Sequence, residues 1–251
     1  MKLSVNLNKI ALLRNSRGSD NPSLADYARE SIKLGVDGLT LHPRPDHRHA
    51  TSEDVIFISQ LCKDNNIEFN LEGNPFSRPD GDFLGFYELC KISTPNQITL
   101  VPDSLEQVTS DHGWQKGHFD DELKSFIKNI KEIHSRISLF IDADPMFVEY
   151  ASESGADRIE IYTGPFAYYL DSGNKDSFNK SKNKISACIQ KAIELKLGIN
   201  AGHDLNLNNL PHLKDCGIID EVSIGHAIMT DSLKFGFHNT IIKYQECIRN
   251  N

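Results

Sequence analysis

The chain has 251 residues, a formal net charge of −8, 39% apolar residues and 25% charged residues. That balance is ordinary for a soluble globular protein with a sizeable core, and the negative charge argues against a broad nucleic-acid-binding surface. No stretch has the length and apolarity of a signal peptide or a membrane span, so a cytoplasmic protein with no membrane contact is expected.

Eight short extended segments alternate with helical ones. A strand over 2–8 precedes a helix near 23–34, and a strand over 38–42 precedes a helix near 52–65. A third strand over 67–72 leads through a long loop, 73–82 with Pro75 and Pro79, to a helix near 83–91. The fourth, over 97–101, leads through a loop at 110–117 to a helix near 119–135. Strands over 138–142 and 158–161 are followed by helices near 145–154 and 180–195, the second after a loop around 164–175. A strand over 198–201 with a helix near 207–214, and a strand over 221–224 with a helix near 233–249, complete the series. Repeated β-α units build a parallel sheet, and eight of them in a chain of this length predict a single (β/α)8 TIM barrel, one domain over residues 1–251.

Helix ends carry local signals. Thr51 suits an N-cap before Glu53 and Asp54, and Asp144 stands before Pro145 as a capping carboxylate before a first-turn proline. Gly35, Gly155 and Gly217 follow helical patterns where a left-handed residue is wanted. Phe237, Ile241, Tyr244 and Ile248 form one stripe, so the last helix docks on the barrel. Five cysteines, odd in number and without a C-x-x-C pair, read as small apolar residues rather than a disulfide or zinc framework.

Buried parallel strands are normally near-continuous apolar runs, but these are not. Val5 and Leu7 alternate with Asn6 and Asn8, Phe69 and Leu71 with Asn70 and Glu72, and Glu160 and Asn200 sit between aliphatic residues. A period of two sends the polar set into the barrel if the aliphatic set packs on the helices. Buried Glu72 and Glu160 then require hydrogen-bonding neighbours or a ligand. The strand C-termini, where such barrels build active sites, carry Asn8-Lys9, His42, Glu72, Asp142, Glu160, His203 and Gly225-His226.

Chemistry concentrates in the stretch from His42 to His49. Arg44 and Arg48 offer forked donors that match phosphate oxygens, His49 adds a third donor, and Pro43 and Pro45 stiffen the loop. The His47-x-His49 pair also suggests a metal, although adjacent arginines repel a divalent cation and disfavour one there. Gly202-His203 and Gly225-His226 place glycines where backbone N–H groups can approach an anion, in the two loops that usually hold phosphate in this fold. Two anion sites suggest two phosphorylated small-molecule substrates. His42, Glu72 and His203 are the candidate proton shuttles. A nucleophile elbow, a dinucleotide fingerprint and a Walker loop are all missing, and few lysines lie near the pocket, which disfavours hydride transfer, acyl hydrolysis and a protein Schiff base.

The chain resembles the pyridoxine 5′-phosphate synthase family along nearly its whole length. The resemblance rests on residues 4–18 (SVNLNKIALLRNSRG), 38–51 (GLTLHPRPDHRHAT), 69–72 (FNLE), 100–109 (LVPDSLEQVT), 138–144 (SLFIDAD), 159–164 (IEIYTG), 199–203 (INAGH) and 224–227 (IGHA). It implies condensation of 3-amino-2-oxopropyl phosphate with 1-deoxy-D-xylulose 5-phosphate to pyridoxine 5′-phosphate, phosphate and water. It further implies His42 and Glu72 as proton acceptors, His203 as proton donor and Glu160 as a supporting carboxylate. Arg44, His49 and Thr109 would hold the pentulose phosphate, and Asn6, Arg17, Asp204, Gly225 and His226 the amino ketone. A cytosolic, cofactor-free homo-octamer is implied as well. Two positions depart from the family pattern: Asn8-Lys9 stands where many members have Asp-His, and Asp204 where many have a second glycine. A metal-dependent sugar-phosphate isomerase or lyase, and a non-enzymatic phosphate-ligand sensor on the same scaffold, are the competing readings.

Overall fold

The polar and aliphatic alternation of the strands resolves into an inside and an outside. In this computed structural model, which describes residues 1–249, eight parallel strands close into a barrel in chain order. They are β1 (Lys2–Asn6), β2 (Gly38–Leu41), β3 (Glu68–Gly73), β4 (Gln97–Leu100), β5 (Arg136–Ile141), β6 (Arg158–Tyr162), β7 (Gly198–Gly202) and β8 (Glu221–Ile224). β8 closes on β1 with Ser4 opposite Ser223 and Val5 opposite Ile224.

The aliphatic face carries Leu3, Val5, Leu39, Leu41, Leu71 and Ile98 among others, all buried beneath the helices. Each such side chain contributes roughly 1.5–3 kcal/mol of burial free energy. The lumen is polar instead. Ser4 Oγ lies 2.7 Å from Thr40 Oγ1, Asn70 Nδ2 donates to Thr40 Oγ1 at 3.3 Å, and Thr99 Oγ1 donates to Asn70 Oδ1 at 3.0 Å. These hydroxyls and amides satisfy one another, whereas Ser138 Oγ and Asn200 Nδ2 are buried there without a partner.

The helices are α1 (Asn8–Asn15), α2 (Leu24–Lys33), α3 (Ser52–Asp64), α4 (Phe86–Ser93), α5 (Asp121–Ile130), α6 (Pro145–Glu153), α7 (Gly164–Asp171), α8 (Lys175–Glu194), α9 (Leu210–Lys214), α10 (His226–Phe235) and α11 (Phe237–Arg249). Thr51 caps α3 in a full capping box: its Oγ1 accepts from Asp54 N at 3.2 Å, and its N–H donates to Asp54 Oδ2 at 2.7 Å. Asp144 accepts from Met146 N at the start of α6. The Phe237, Ile241, Tyr244 and Ile248 stripe docks as expected, with Ile241, Tyr244 and Ile248 buried. All five cysteines are free thiols, and four are buried.

Three expectations need correction. β1 ends at Asn6 rather than residue 8, because Leu7 turns the chain straight into α1. The stretch 164–175 is not a loop: it holds α7 and the start of α8, with Pro165 in the first turn, where a missing N–H is harmless. The helix expected from 233 to 249 is two helices, broken at Gly236, whose φ of +76° a side chain rarely adopts. Residues 250 and 251, included in the expected domain, lie outside the described residues. Among the described residues, no helix is long and apolar enough to cross a membrane.

Candidate active site

The C-terminal strand ends open into a cavity of about 900 Å³, and every site residue implied by the family resemblance except Arg17 lines it, while Arg48 does not. Arg17 is exposed at the end of α1 and outside that lining. His49 lines the cavity and His47 does not, so the H-x-H pair is split. Among the described residues, no group of three or more His, Cys, Asp or Glu side chains is arranged to hold a metal ion.

β2 and β3 deliver the first pair. His42 Nδ1 lies 3.3 Å from Glu72 Oε1, and Nε2 lies 3.7 Å from Asp103 Oδ2. The His42 main chain is held as well: Asn8, reaching from the start of α1, accepts its backbone N–H at 2.8 Å. Burial depresses the basicity of His42, but the Glu72 carboxylate and then Asp103 outweigh it, and the net shift is upward. Neighbouring His49 goes the other way. Burial, followed by the charges of His42, Lys9, Arg44 and Arg48, pushes it down to about 3, so it is a neutral ring with a buried, unpartnered Nδ1.

Glu160 projects from β6 into the lumen and is fully enclosed. Burial, then the Glu72 and Glu221 charges, raises its carboxyl well above the ordinary range, which favours the protonated, hydrogen-bond-donating form. It fits only because residue 202 is glycine: a methyl group there would collide with Glu160 Oε1 and lie 3.1 Å from Cδ.

His203 stands across the mouth in a strained turn. His203 and Asp204 have φ of +81° and +56°, a left-handed pair without glycine. Thr163 holds that turn by donating to the carbonyls of Gly202 and His203 at 2.7 and 2.5 Å, and Asn209 Nδ2 donates to the Asp204 carbonyl. His203 Nε2 meets Thr109 Oγ1 at 3.0 Å. Its Nδ1 lies 2.9 Å from Asp204 Oδ2 as an ion contact without hydrogen-bond alignment. That contact, opposed by burial and aided by His226 and Lys9, holds the Asp204 carboxyl below its usual range.

Two anion-attracting regions flank these groups. Gly225 leads into α10, whose N-terminal residues His226 and Ala227 line the cavity, and a side chain at 225 would crowd Asn6 at 3.1 Å. The second region differs from expectation in its donors. Arg44 is buried with its fork turned onto the loop after β4, donating to the Ser104 carbonyl at 2.5 Å, the Gln107 carbonyl at 3.1 Å and Asp103 Oδ2 at 3.3 Å. Arg48 grips the same loop through the carbonyls of Leu105, Gln107 and Val108. Lys9 is the uncommitted cation: half-buried in the cavity wall, it makes no hydrogen bond or ion pair among the described residues.

Sequence reading gave no role to three contributors. Asn8 was named as a strand end and as a departure from the family pattern, and Thr163 sat at the edge of an expected loop. Asp103 lies two residues past the strand expected at 97–101, where the rim rule would have found it had Pro102 not broken the pattern.

The family model described as "Pyridoxal phosphate biosynthesis protein PdxJ" matches residues 3–250. A curated protein of Xanthomonas axonopodis pv. citri, named pyridoxine 5′-phosphate synthase, is 44% identical over 250 residues, covering 99% of this chain and 96% of its own. One of the same name from Xylella fastidiosa is 41% identical over 248 residues, covering 98% and 94%. Among solved structures, thiamine phosphate pyrophosphorylase from Pyrococcus furiosus superposes with a TM-score of 0.59 at 13% identity, over 98% of this chain and 95% of that one; this likeness shows the barrel fold alone. With the family model spanning nearly the whole chain and full-length relatives above two-fifths identity, this protein belongs to the PdxJ family of pyridoxal phosphate biosynthesis proteins.

Proposed function

We propose that the protein is a pyridoxine 5′-phosphate synthase, condensing 3-amino-2-oxopropyl phosphate with 1-deoxy-D-xylulose 5-phosphate to pyridoxine 5′-phosphate, inorganic phosphate and water. The observation that carries the reading is one cavity in which the His42–Glu72 pair faces His203, with an anion-attracting region on either side. The substrate amine attacks the pentulose ketone to give an imine; proton transfers, loss of water and phosphate, and ring closure follow. No protein nucleophile is needed, so the chain contributes positioning and proton transfer.

His42 and Glu72 serve as proton acceptors and His203 as donor. Glu160, whose protonated form is favoured by burial and the neighbouring carboxylates, hydrogen-bonds oxygen or nitrogen as charge develops beside it. The α10 N-terminus with Gly225 and His226, joined by Asn6 and Asp204, takes the amino ketone. Lys9, His49 and Thr109 take the pentulose phosphate, with Arg44 shaping that side through the loop it holds. Arg17 belongs to the amino ketone's phosphate by family resemblance only, and nothing in the cavity supports it. The protein acts in the cytoplasm as a homo-octamer without metal or organic cofactor. A metal-dependent lyase would need His42, His49 and Glu72 clear of cations, whereas Lys9, Arg44 and Arg48 all act on His49.

Mixing both substrates with the pure protein tests the reading. Pyridoxine 5′-phosphate appears by its absorbance, at the same rate after exhaustive chelation. Folded protein without product supports the sensor reading, and activity lost to chelation and restored by zinc or manganese supports the metal enzyme.

A further inference from the structure

We propose that Asp103 is a positioning residue for the reaction, one that stabilises the imidazolium formed when His42 accepts a proton and ties that ring to the loop after β4. The proposal rests on the reading of His42 as a proton acceptor and adds a residue to which neither the motifs nor the family resemblance assigns a role.

The geometry is that of a hub. The Asp103 side chain is only 4% exposed and faces His42 from the side opposite Glu72, Oδ2 to Nε2 at 3.7 Å. The same Oδ2 accepts from Ser110 Oγ at 2.8 Å and from Arg44 Nη1 at 3.3 Å. The Asp103 main chain is pinned too, its carbonyl accepting from Asn74 Nδ2 at 2.7 Å. One carboxylate therefore joins His42 just past the end of β2, the arginine that grips the loop, and Ser110 next to Thr109, which touches His203.

A purely structural buried aspartate would have both oxygens saturated, because an unpaired one costs about 1–3 kcal/mol. Here Oδ1 has no partner. What the carboxylate does supply is negative charge beside a ring that must gain a proton. The groups acting on His42 are Glu72 from β3, Asp103 from the loop after β4 and Arg44 from the loop after β2, with the His49 ring at 6.1 Å between centroids. Two carboxylates against one guanidinium favour the imidazolium, and removing Asp103 leaves one against one. Glu72, nearer the cavity, is then placed to take a substrate proton and pass it to His42, with Asp103 balancing the charge on the far side.

The test is Asp103→Asn, close in shape but uncharged, compared with Asp103→Glu. In Asp103→Asn, the His42 imidazole titration followed by NMR in the folded, ligand-free protein moves down by about one pH unit, and the acidic limb of kcat/KM moves with it. Asp103→Glu, which keeps the charge, recovers at least half of that shift. A wild-type His42 titration in Asp103→Asn overturns the proposal, as does a Glu variant no better than Asn. Should the Asn variant not fold, Ser110→Ala decides: it strips a donor from Oδ2 and leaves the charge, so the His42 titration does not fall, and a fall overturns the proposal. Failure of the wild-type protein to make product would overturn the functional reading instead, and the NMR titration separates that outcome from this one.

Discussion

The floor of the barrel offers a quantitative test of how this fold tolerates charge in its lumen. Glu221 opens β8 and Glu68 opens β3, while Arg136 and Arg158 open β5 and β6 at the same level. Arg136 is paired with Glu68, and Arg158 Nη1 donates to Asn200 Oδ1 at 2.8 Å and to Asp220 Oδ2 at 3.2 Å. Burial, then the Glu68 charge, raises Glu221 to about 8 against the opposing pull of Arg158 and Arg136. In the unfolded chain a glutamate titrates near 4.3, so at neutral pH the native state holds a proton that the unfolded state has released. Such a group contributes stability that is complete below about pH 4.3 and is lost as the pH climbs through about 8. At 1.36 kcal/mol per unit, the swing is on the order of 5 kcal/mol across that window. Glu221→Gln keeps the shape and can donate to Glu68 but does not titrate. Urea unfolding at intervals from pH 4.5 to 8.5 should show wild-type stability falling relative to the variant by several kcal/mol. Parallel curves for the two proteins would refute the claim that Glu221 carries this proton.

Three further outcomes concern the cavity. Glu72→Gln should lower kcat by about 10²–10⁴-fold with both substrates still binding, since glutamine cannot accept a proton; near-wild-type turnover would make Glu72 only structural. Lys9→Ala should raise the KM of the pentulose phosphate by about ten- to a hundredfold and leave that of the amino ketone unchanged, the loss of one charge-assisted hydrogen bond; equal effects on both substrates, or none, would remove Lys9 from that site. Gly202→Ala drives a methyl group into Glu160 and should destabilise the protein by roughly 1–3 kcal/mol in thermal or urea unfolding while slowing turnover. Adding Glu160→Ala should restore stability without activity, and no recovery would mean that the glycine serves another neighbour.

Eight extended segments alternating with helical ones were enough to predict eight parallel strands, and the alternation of Asn6, Asn70, Glu72, Glu160 and Asn200 with aliphatic residues a polar lumen, with the polar strand C-termini marking the face on which the site lies. Period-two patterning and capping chemistry are local, and local rules survive folding: the Thr51 capping box, the Asp144 cap and the left-handed Gly35, Gly155 and Gly217 all stand in the structure. Helices α1, α7 and α10 were illegible for the opposite reason. Their short, weakly patterned sequences begin at strand ends or at Gly164-Pro165, and residues from each of them line the barrel mouth. Which residue types crowd the rim follows from the sequence, but whom each one touches does not. Arg44 reads as an open phosphate fork until the loop after β4 folds back to occupy it, and Asp103 is unremarkable until β2 sets His42 against it. Contacts between residues some sixty positions apart depend on strand register and loop return. Those are properties of the closed barrel as a whole, and no stretch of sequence contains them.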